Sequence, residues 1–393
     1  MTYDFILFEH LYAVQNHYKD LTNLVVLLKA AGYRVAIADA FKEAILCKVE
    51  GVPHINISIK CPKEFKEPST YLPKRSALKK LYYRIRKDFY MYKVVKYLNS
   101  MTDNMYVGSM TLDTPVFFMR AFSPNKTYYI WALRSSHVLP WKKKIRNFSS
   151  LVSMMLYNNM KKHHNLRLLV SNKLIQTEFI EKAGVKIDRL ILRPERFIST
   201  IKRPATRCQK ENKTLHLLFI GTLRPFKNVE FCLKALNKLN DENIYYTIAG
   251  RCKKRCDENY NQFVKELAEK TKNVSRIDRY IPEEEYLMLI EDCDFLILCD
   301  KTQESCASNG TMSEALLSGK PIIAPDFNPF KYEIENYGVG YLYRYNDLDS
   351  LCDILIKARE EGVEHFTDNL YNYQKMFMMD EVARNLKAQI ERN

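Results

Sequence analysis

The chain has 393 residues, with 61 Lys and Arg against 46 Asp and Glu and a formal net charge of +15. That length accommodates two domains with full cores, and an apolar content of 47% excludes a disordered chain. No run of about eighteen apolar residues offers a spanning helix, and the opening MTYDFILFEH, with acids beside a short apolar run, reads against a secretory leader.

Charge is unevenly placed. Residues 1–200 hold 33 Lys and Arg against 15 Asp and Glu, whereas the remainder holds 28 against 31. A basic first half and a near-neutral second half imply different partners. The ten cysteines follow no framework spacing. Cys252 and Cys256 form one close pair without a second, which points to reduced thiols in a cytosolic protein rather than a metal site.

In chain order, YDFILF (3–8) reads as a buried strand, followed by a helix over 19–31 that ends at Gly32. Strands follow at 34–39 and 53–59, then a long helix over 74–98. PVFFMRAF (115–122), TYYIWAL (127–133), LRLLVSN (166–172) and DRLILR (188–193) read as strands, with a helix from 172 to Ala183. Residues 198–214 lack periodicity and read as a linker. The alternation then resumes, with strands at 215–220, 245–250, 274–277, 294–299, 321–324 and 340–343. The helices between them fall at 228–240, 258–272, 282–292, 311–318 and 347–362. Such alternation predicts parallel sheets covered by helices on both faces, with ligands at the carboxyl ends of the strands. The domains expected are 1–200 and 201–369, with 370–393 a C-terminal helical stretch able to cross back to the first.

SNGTMSEALLSGKP places Gly310 and Thr311 at the start of a helix carrying Glu314. A helix start offers free amides and partial positive charge, which suits a diphosphate, and a carboxylate one turn in suits a ribose diol. The other reading is a capping box, with Thr311 or Ser308 as cap and Glu314 as its partner. In FIGTLRPFKN, a strand ends at Gly221 and Thr222, and Arg224 and Lys227 follow on the same rim, where cations would neutralise a second side of one diphosphate. Asp347 and Asp349 sit where a helix begins and read as capping.

With these residues in view, 215–345 resembles the donor-binding domain of GT-B glycosyltransferases, in particular the retaining family 4 and its relatives. The resemblance rests on Gly221, Lys227 and Asn228, and then on Glu314, Ala315, Gly319, Pro321, the apolar IIA and the acid Glu333. It is fainter in the first half, where LRLLVSNKLIQTEFIEKAGVKIDRLILRPERF carries it. It implies two Rossmann-like doubly wound domains facing across a cleft, a nucleotide-sugar donor, a glycan or lipid-linked saccharide acceptor, and no metal or other cofactor. It also implies that Lys227, with Arg224, stabilises the leaving diphosphate, that the amides of Gly310 and Thr311 bind it, and that Glu314 holds the ribose. Arg279 and Tyr280 in DRYI border the base, and His137 reaches the donor sugar, with His10 and His17 as weaker candidates.

Three positions depart from the pattern. Thr222 stands where the family has Arg. Cys306 stands where the first of two glutamates belongs, leaving Glu304 or Asn309 to substitute. The first strand runs into EHLYAVQNHYKD instead of a Gly-rich loop. These departures keep open a non-catalytic nucleotide-sugar-binding subunit and, less readily, a GT-B nucleotide-sugar epimerase.

Residues 71–99 hold nine Lys and Arg, one acid (Asp88) and six Tyr. Leu78, Leu81, Tyr82, Ile85, Phe89, Tyr92 and Val95 recur at helical steps, predicting a packing face opposite a basic one. The basic face suits an anionic bilayer, and no nucleic-acid module accompanies it. The expectation is a glycosyltransferase of cell-surface polysaccharide assembly, peripheral on the cytoplasmic face of a membrane.

Overall fold

A computed structural model describes residues 3–9, 15–39, 49–59, 77–110, 117–132, 157–202, 214–252, 258–301 and 309–392. Two compact units emerge, one formed by Met1–Glu195 with Met379–Asn393 and the other by Arg196–Met378. Only the segment from Met379 onward, not the whole of 370–393, joins the first unit.

The first unit is built on a seven-stranded sheet in the order β3-β2-β1-β4-β5-β6-β7. Its strands are β1 (Tyr3–Leu7), β2 (Val35–Asp39), β3 (His54–Asn56), β4 (Thr102–Met110), β5 (Thr127–Ala132), β6 (Leu166–Val170) and β7 (Leu190–Leu192). All six pairings are parallel, as right-handed crossovers through helices require. Among its helices are α1 (Gln15–Ala30), α2 (Ala77–Leu98) and α3 (Lys173–Ala183). Asn172 caps α3, its side chain accepting from the Ile175 amide at 2.8 Å, and Gly184 closes it in the left-handed conformation.

Three expectations for this unit are corrected. Strand β4 lies at the sheet centre, yet TDNMYVGSM has too many polar residues to read as a strand. Two of those side chains are satisfied by the backbone of β1, because Thr102 Oγ1 donates to the Tyr3 carbonyl at 3.0 Å and Asn104 Nδ2 to that of Asp4 at 3.1 Å. The apolar run at 115–122 contains a 3-10 helix, Phe117–Ala121, not a strand. A short apolar run does not distinguish the two.

The third correction concerns α2. Its buried residues are Asp88, Tyr90, Met91, Val94, Val95 and Leu98. Of the stripe expected to pack, Val95 is buried, whereas Tyr82, Ile85 and Phe89 are 56%, 56% and 60% exposed. At about 100° per residue, the stripe through 82, 85 and 89 lies opposite that through 91, 95 and 98. The sheet selects the second, so α2 carries apolar side chains on its outer face as well.

The second unit has a six-stranded parallel sheet in the order β10-β9-β8-β11-β12-β13. The strands are β8 (Leu215–Ile220), β9 (Ile244–Ala249), β10 (Val274–Ile277), β11 (Phe295–Ile297), β12 (Ile322–Pro325) and β13 (Gly340–Tyr343). Around them run α4 (Val229–Leu239), α5 (Glu258–Glu269), α6 (Glu283–Asp292), α7 (Gly310–Leu317), α8 (Phe330–Tyr337), α9 (Leu348–Glu361) and α10 (Thr367–Met376). Helix α11 (Met379–Glu391) belongs to the first unit, where the Gln389 side chain bonds both the amide and the carbonyl of Leu192. Asp347 caps α9 by accepting from the Ser350 amide at 2.9 Å.

Glu333 in α8 is buried, and one of its carboxylate oxygens has no hydrogen-bond partner among the described residues. Burial raises its carboxyl from 4.5 to about 7, with a hydrogen bond to Tyr373 acting the other way. The native state therefore keeps a proton that the unfolded chain has already released. This contribution to stability is complete below about pH 4.5 and is lost as pH rises to about 7, amounting to about 3 kcal/mol. Glu333→Gln should remove the dependence. In thermal or denaturant unfolding across that window, wild type should lose about 3 kcal/mol relative to the variant, and a constant gap would contradict this assignment.

Candidate functional site

The carboxyl rim of the second sheet gathers the residues singled out from the sequence. Strand β8 is followed by Gly221, whose φ is +140°. A Cβ there would lie 3.9 Å from Thr311 Oγ1, so the loop after β8 and the start of α7 adjoin. Gly250, at the end of β9, has φ +136°, and a Cβ added to it would fall 1.8 Å from the Gly221 carbonyl oxygen. No side chain fits there, and this close approach holds the two loops together.

Helix α7 is capped by Asn309, whose Oδ1 accepts from the Met312 amide at 3.1 Å. The capping-box reading is thereby corrected. With Asn309 as cap, Met312 occupies the third position and Glu314 stands in the second turn. The cap serves Met312, and Gly310 and Thr311 head the helix, where amides point outward and the dipole favours an anion.

Lys227 ends a 3-10 turn, Pro225–Lys227, and Arg224 precedes it. Both cations flank the Phe226 ring, the guanidinium at 5.8 Å and the ammonium at 5.4 Å from its centre. Thr222 is half-buried in the same loop. Lys227 Nζ also lies 3.0 Å from Asp300 Oδ2, and Asn309 Nδ2 donates to the same oxygen at 3.3 Å. Asp300 lies three residues past the end of β11. Burial raises its carboxyl above the usual range, and Lys227 acts against that shift.

Glu314 lies 3.5 Å from the Arg196 guanidinium. The Tyr286 phenol from α6 neighbours Glu314 and Thr311; burial is the main reason that its pKa is raised, and the Glu314 charge adds to it. Arg279 is held by Glu285, with contacts of 2.7 and 2.5 Å, and Tyr280 is 66% exposed under the Arg251 guanidinium. Both follow the edge strand β10. His137, Glu304, Cys306 and His10 lie outside the described residues, as does the His17 side chain.

Sequence reasoning missed Asp300, Arg196 and Tyr286. Asp300 had one usable signal, a charge placed directly after the apolar run FLILC at a strand's carboxyl end. Arg196 and Tyr286 had none, because tertiary packing alone brings them to Glu314.

Two doubly wound parallel sheets define the class: this is a GT-B fold. Residues 204–375, somewhat less than half of the chain, match the family model described as "Glycosyl transferases group 1". Among solved structures, the chain is similar to the lipopolysaccharide outer core galactosyltransferase WaaB in its apo form, at 15% identity and TM-score 0.63, over 99% of each chain. It is similar to sucrose-phosphate synthase from Thermosynechococcus elongatus at 13% identity and TM-score 0.66, covering 99% of this chain and 98% of that one. It also resembles Anabaena HepE in complex with UDP, at 14% identity and TM-score 0.62, with 99% and 98% covered. At such identities the likeness is one of fold. No curated protein matches the sequence.

Proposed function

We propose that the protein transfers a hexosyl group from a nucleotide-diphosphate donor to a hydroxyl of a glycan or lipid-linked saccharide, with retention and without a metal, in cell-surface polysaccharide assembly. The reading is carried by one observation: the head of α7, Lys227 and Glu314 stand on one strand rim within the segment that matches the group 1 model. In the proposed step the bond between the anomeric carbon and the donor phosphate oxygen breaks, and the diphosphate leaves with the electron pair. The acceptor oxygen bonds the anomeric carbon and its proton passes to the departing diphosphate. Lys227 and the Gly310 and Thr311 amides stabilise the charge that grows on the leaving group, and Glu314 holds the ribose. HepE, solved with UDP, and WaaB, a lipopolysaccharide enzyme by its description, support a UDP-type donor and a surface glycan. The test is transfer of radiolabel from UDP-, GDP-, CDP- and ADP-sugars into a membrane lipid and glycan extract. Label in the extract only with intact protein is expected, and no transfer from any donor would overturn the reading.

We place this activity at the cytoplasmic face of a membrane, held there through α2. The one acid of that helix is turned inward, Asp88 Oδ1 accepting from the Phe118 amide at 3.1 Å. The outer face keeps exposed Tyr82, Ile85 and Phe89, with Arg86 5.5 Å from the Tyr82 ring and Lys93 4.6 Å from that of Phe89. Phe117 is exposed nearby, on the turn that packs against α2, with Arg120 5.7 Å from its ring. Exposed rings bordered by cations match an anionic interface, where each basic residue contributes about 1 kcal/mol. No helix among the described residues is long and apolar enough to cross a bilayer. The protein should sediment with phosphatidylglycerol vesicles and not with phosphatidylcholine vesicles. Ile85→Glu with Phe89→Glu should cut that binding at least about tenfold. Binding that survives the double variant, or that heparin captures equally well, would remove the bilayer assignment.

A further inference from the structure

In the structure, two groups that would receive a diphosphate are engaged by a carboxylate. Asp300 Oδ2 takes the Lys227 ammonium at 3.0 Å and the Asn309 amide at 3.3 Å, and the other end of that amide caps α7. Asp300 is 9% exposed, and its second oxygen is buried with no hydrogen-bond partner among the described residues. A buried carboxylate with a bare oxygen is poorly compensated. An incoming diphosphate worsens its position, because it brings like charge to the same amine and the same helix end.

We propose that Asp300 is a proton-linked counter-ion for the donor site: ionised, it holds Lys227 in the empty protein, and it takes up one proton when the nucleotide-sugar diphosphate claims that amine. The inference rests on the donor reading above. The proton comes from solvent and stays on the Asp300 carboxyl, and no covalent bond changes. Protonation removes the like charge and frees Lys227 for the phosphates.

The neighbouring groups do not offer the same proton. Lys227 opposes protonation of Asp300 by its charge. Burial pushes the Cys299 thiol up to about 12 and the Tyr343 phenol well above its ordinary value, so both stay neutral. Glu230 is engaged by Lys301 at 2.7 Å and by the Tyr260 hydroxyl at 2.5 Å. Asp300 also has a geometric reason to respond, since it alone of these groups touches both Lys227 and the cap of α7.

The test uses UDP-glucose, GDP-mannose and ADP-glucose on the full chain, because a diphosphate diester carries no group that titrates between about pH 5 and about pH 8 and complicates the result. For whichever probe binds, wild-type affinity should fall as pH rises, with a limiting slope of about tenfold per pH unit. Calorimetry in two buffers of different ionisation enthalpy should show uptake of up to one proton. Asp300→Asn keeps an acceptor for Lys227 and should bind the same probe without the slope, and more tightly than wild type near pH 8. Binding by wild type without slope or proton uptake overturns the proposal and leaves the donor reading standing. An Asp300→Asn protein that keeps the slope overturns it equally. If no probe binds wild type at any pH, the donor reading fails and this inference falls with it. The proton-uptake measurement needs no variant, so a poorly folded Asp300→Asn would not protect the proposal.

Discussion

Lys227→Ala should lower the turnover number by about 100- to 1,000-fold, the size expected when a donor aimed at developing charge is removed. Its effect on nucleoside diphosphate affinity should be smaller, because most of the gain from that ammonium comes as the glycosidic bond breaks. The substitution also has a structural consequence. Lys227 is the counter-charge of Asp300, which is buried with one oxygen unpaired among the described residues. Removing the amine leaves that carboxylate uncompensated, at a cost of roughly 1 to 3 kcal/mol in stability. The two effects separate in the double variant Lys227→Ala with Asp300→Asn, which should recover the stability and not the turnover. Recovery of turnover in the double variant would mean that Lys227 acts only by balancing Asp300.

Replacing Glu314 by Ala should weaken binding of a ribonucleoside diphosphate by about ten- to a hundredfold, the value of one or two hydrogen bonds to a charged acceptor. The expected signature is more specific than the loss. Wild type should prefer UDP to 2′-deoxy-UDP, and Glu314→Ala should bind the two alike. Arg196 pairs with the carboxylate at 3.5 Å and the Tyr286 phenol lies beside it, so it is already oriented before a ligand arrives. Competition titrations with the two nucleotides read the preference directly. A variant that still discriminates between them would take the ribose away from Glu314.

Much of this arrangement was legible because it follows from local rules. An apolar run such as LHLLFI, ended by Gly221 and followed by a helical period, reads as strand and loop whatever packs on it. Gly310 and Thr311 were visible as a helix start for the same reason. The errors arose where partners distant in sequence decide the outcome. Strand β4 was hidden because Thr102 and Asn104 satisfy their polarity against the backbone of β1. The packing face of α2 was assigned to the wrong stripe because both stripes are apolar and only the sheet chooses between them. The cap of α7 was misassigned because Asn309, Thr311 and Ser308 all suit that role chemically, and the geometry selects Asn309. Asp300 was passed over because its importance lies in reaching Lys227, 73 residues earlier in the chain.

We propose that the rim carrying Gly310, Thr311, Lys227 and Glu314 binds a nucleoside diphosphate. The most direct test is a metal-free thermal-unfolding titration of the purified chain with UDP, GDP, CDP and ADP. A ligand at about a hundred times its dissociation constant stabilises the native state by about 2.7 kcal/mol, a shift of several degrees at most in a protein of this size. One of the four should raise the melting temperature in wild type, and both Lys227→Ala and Glu314→Ala should reduce that shift. No shift with any of the four, or an unchanged shift in both variants, would contradict the assignment of this rim as the donor site.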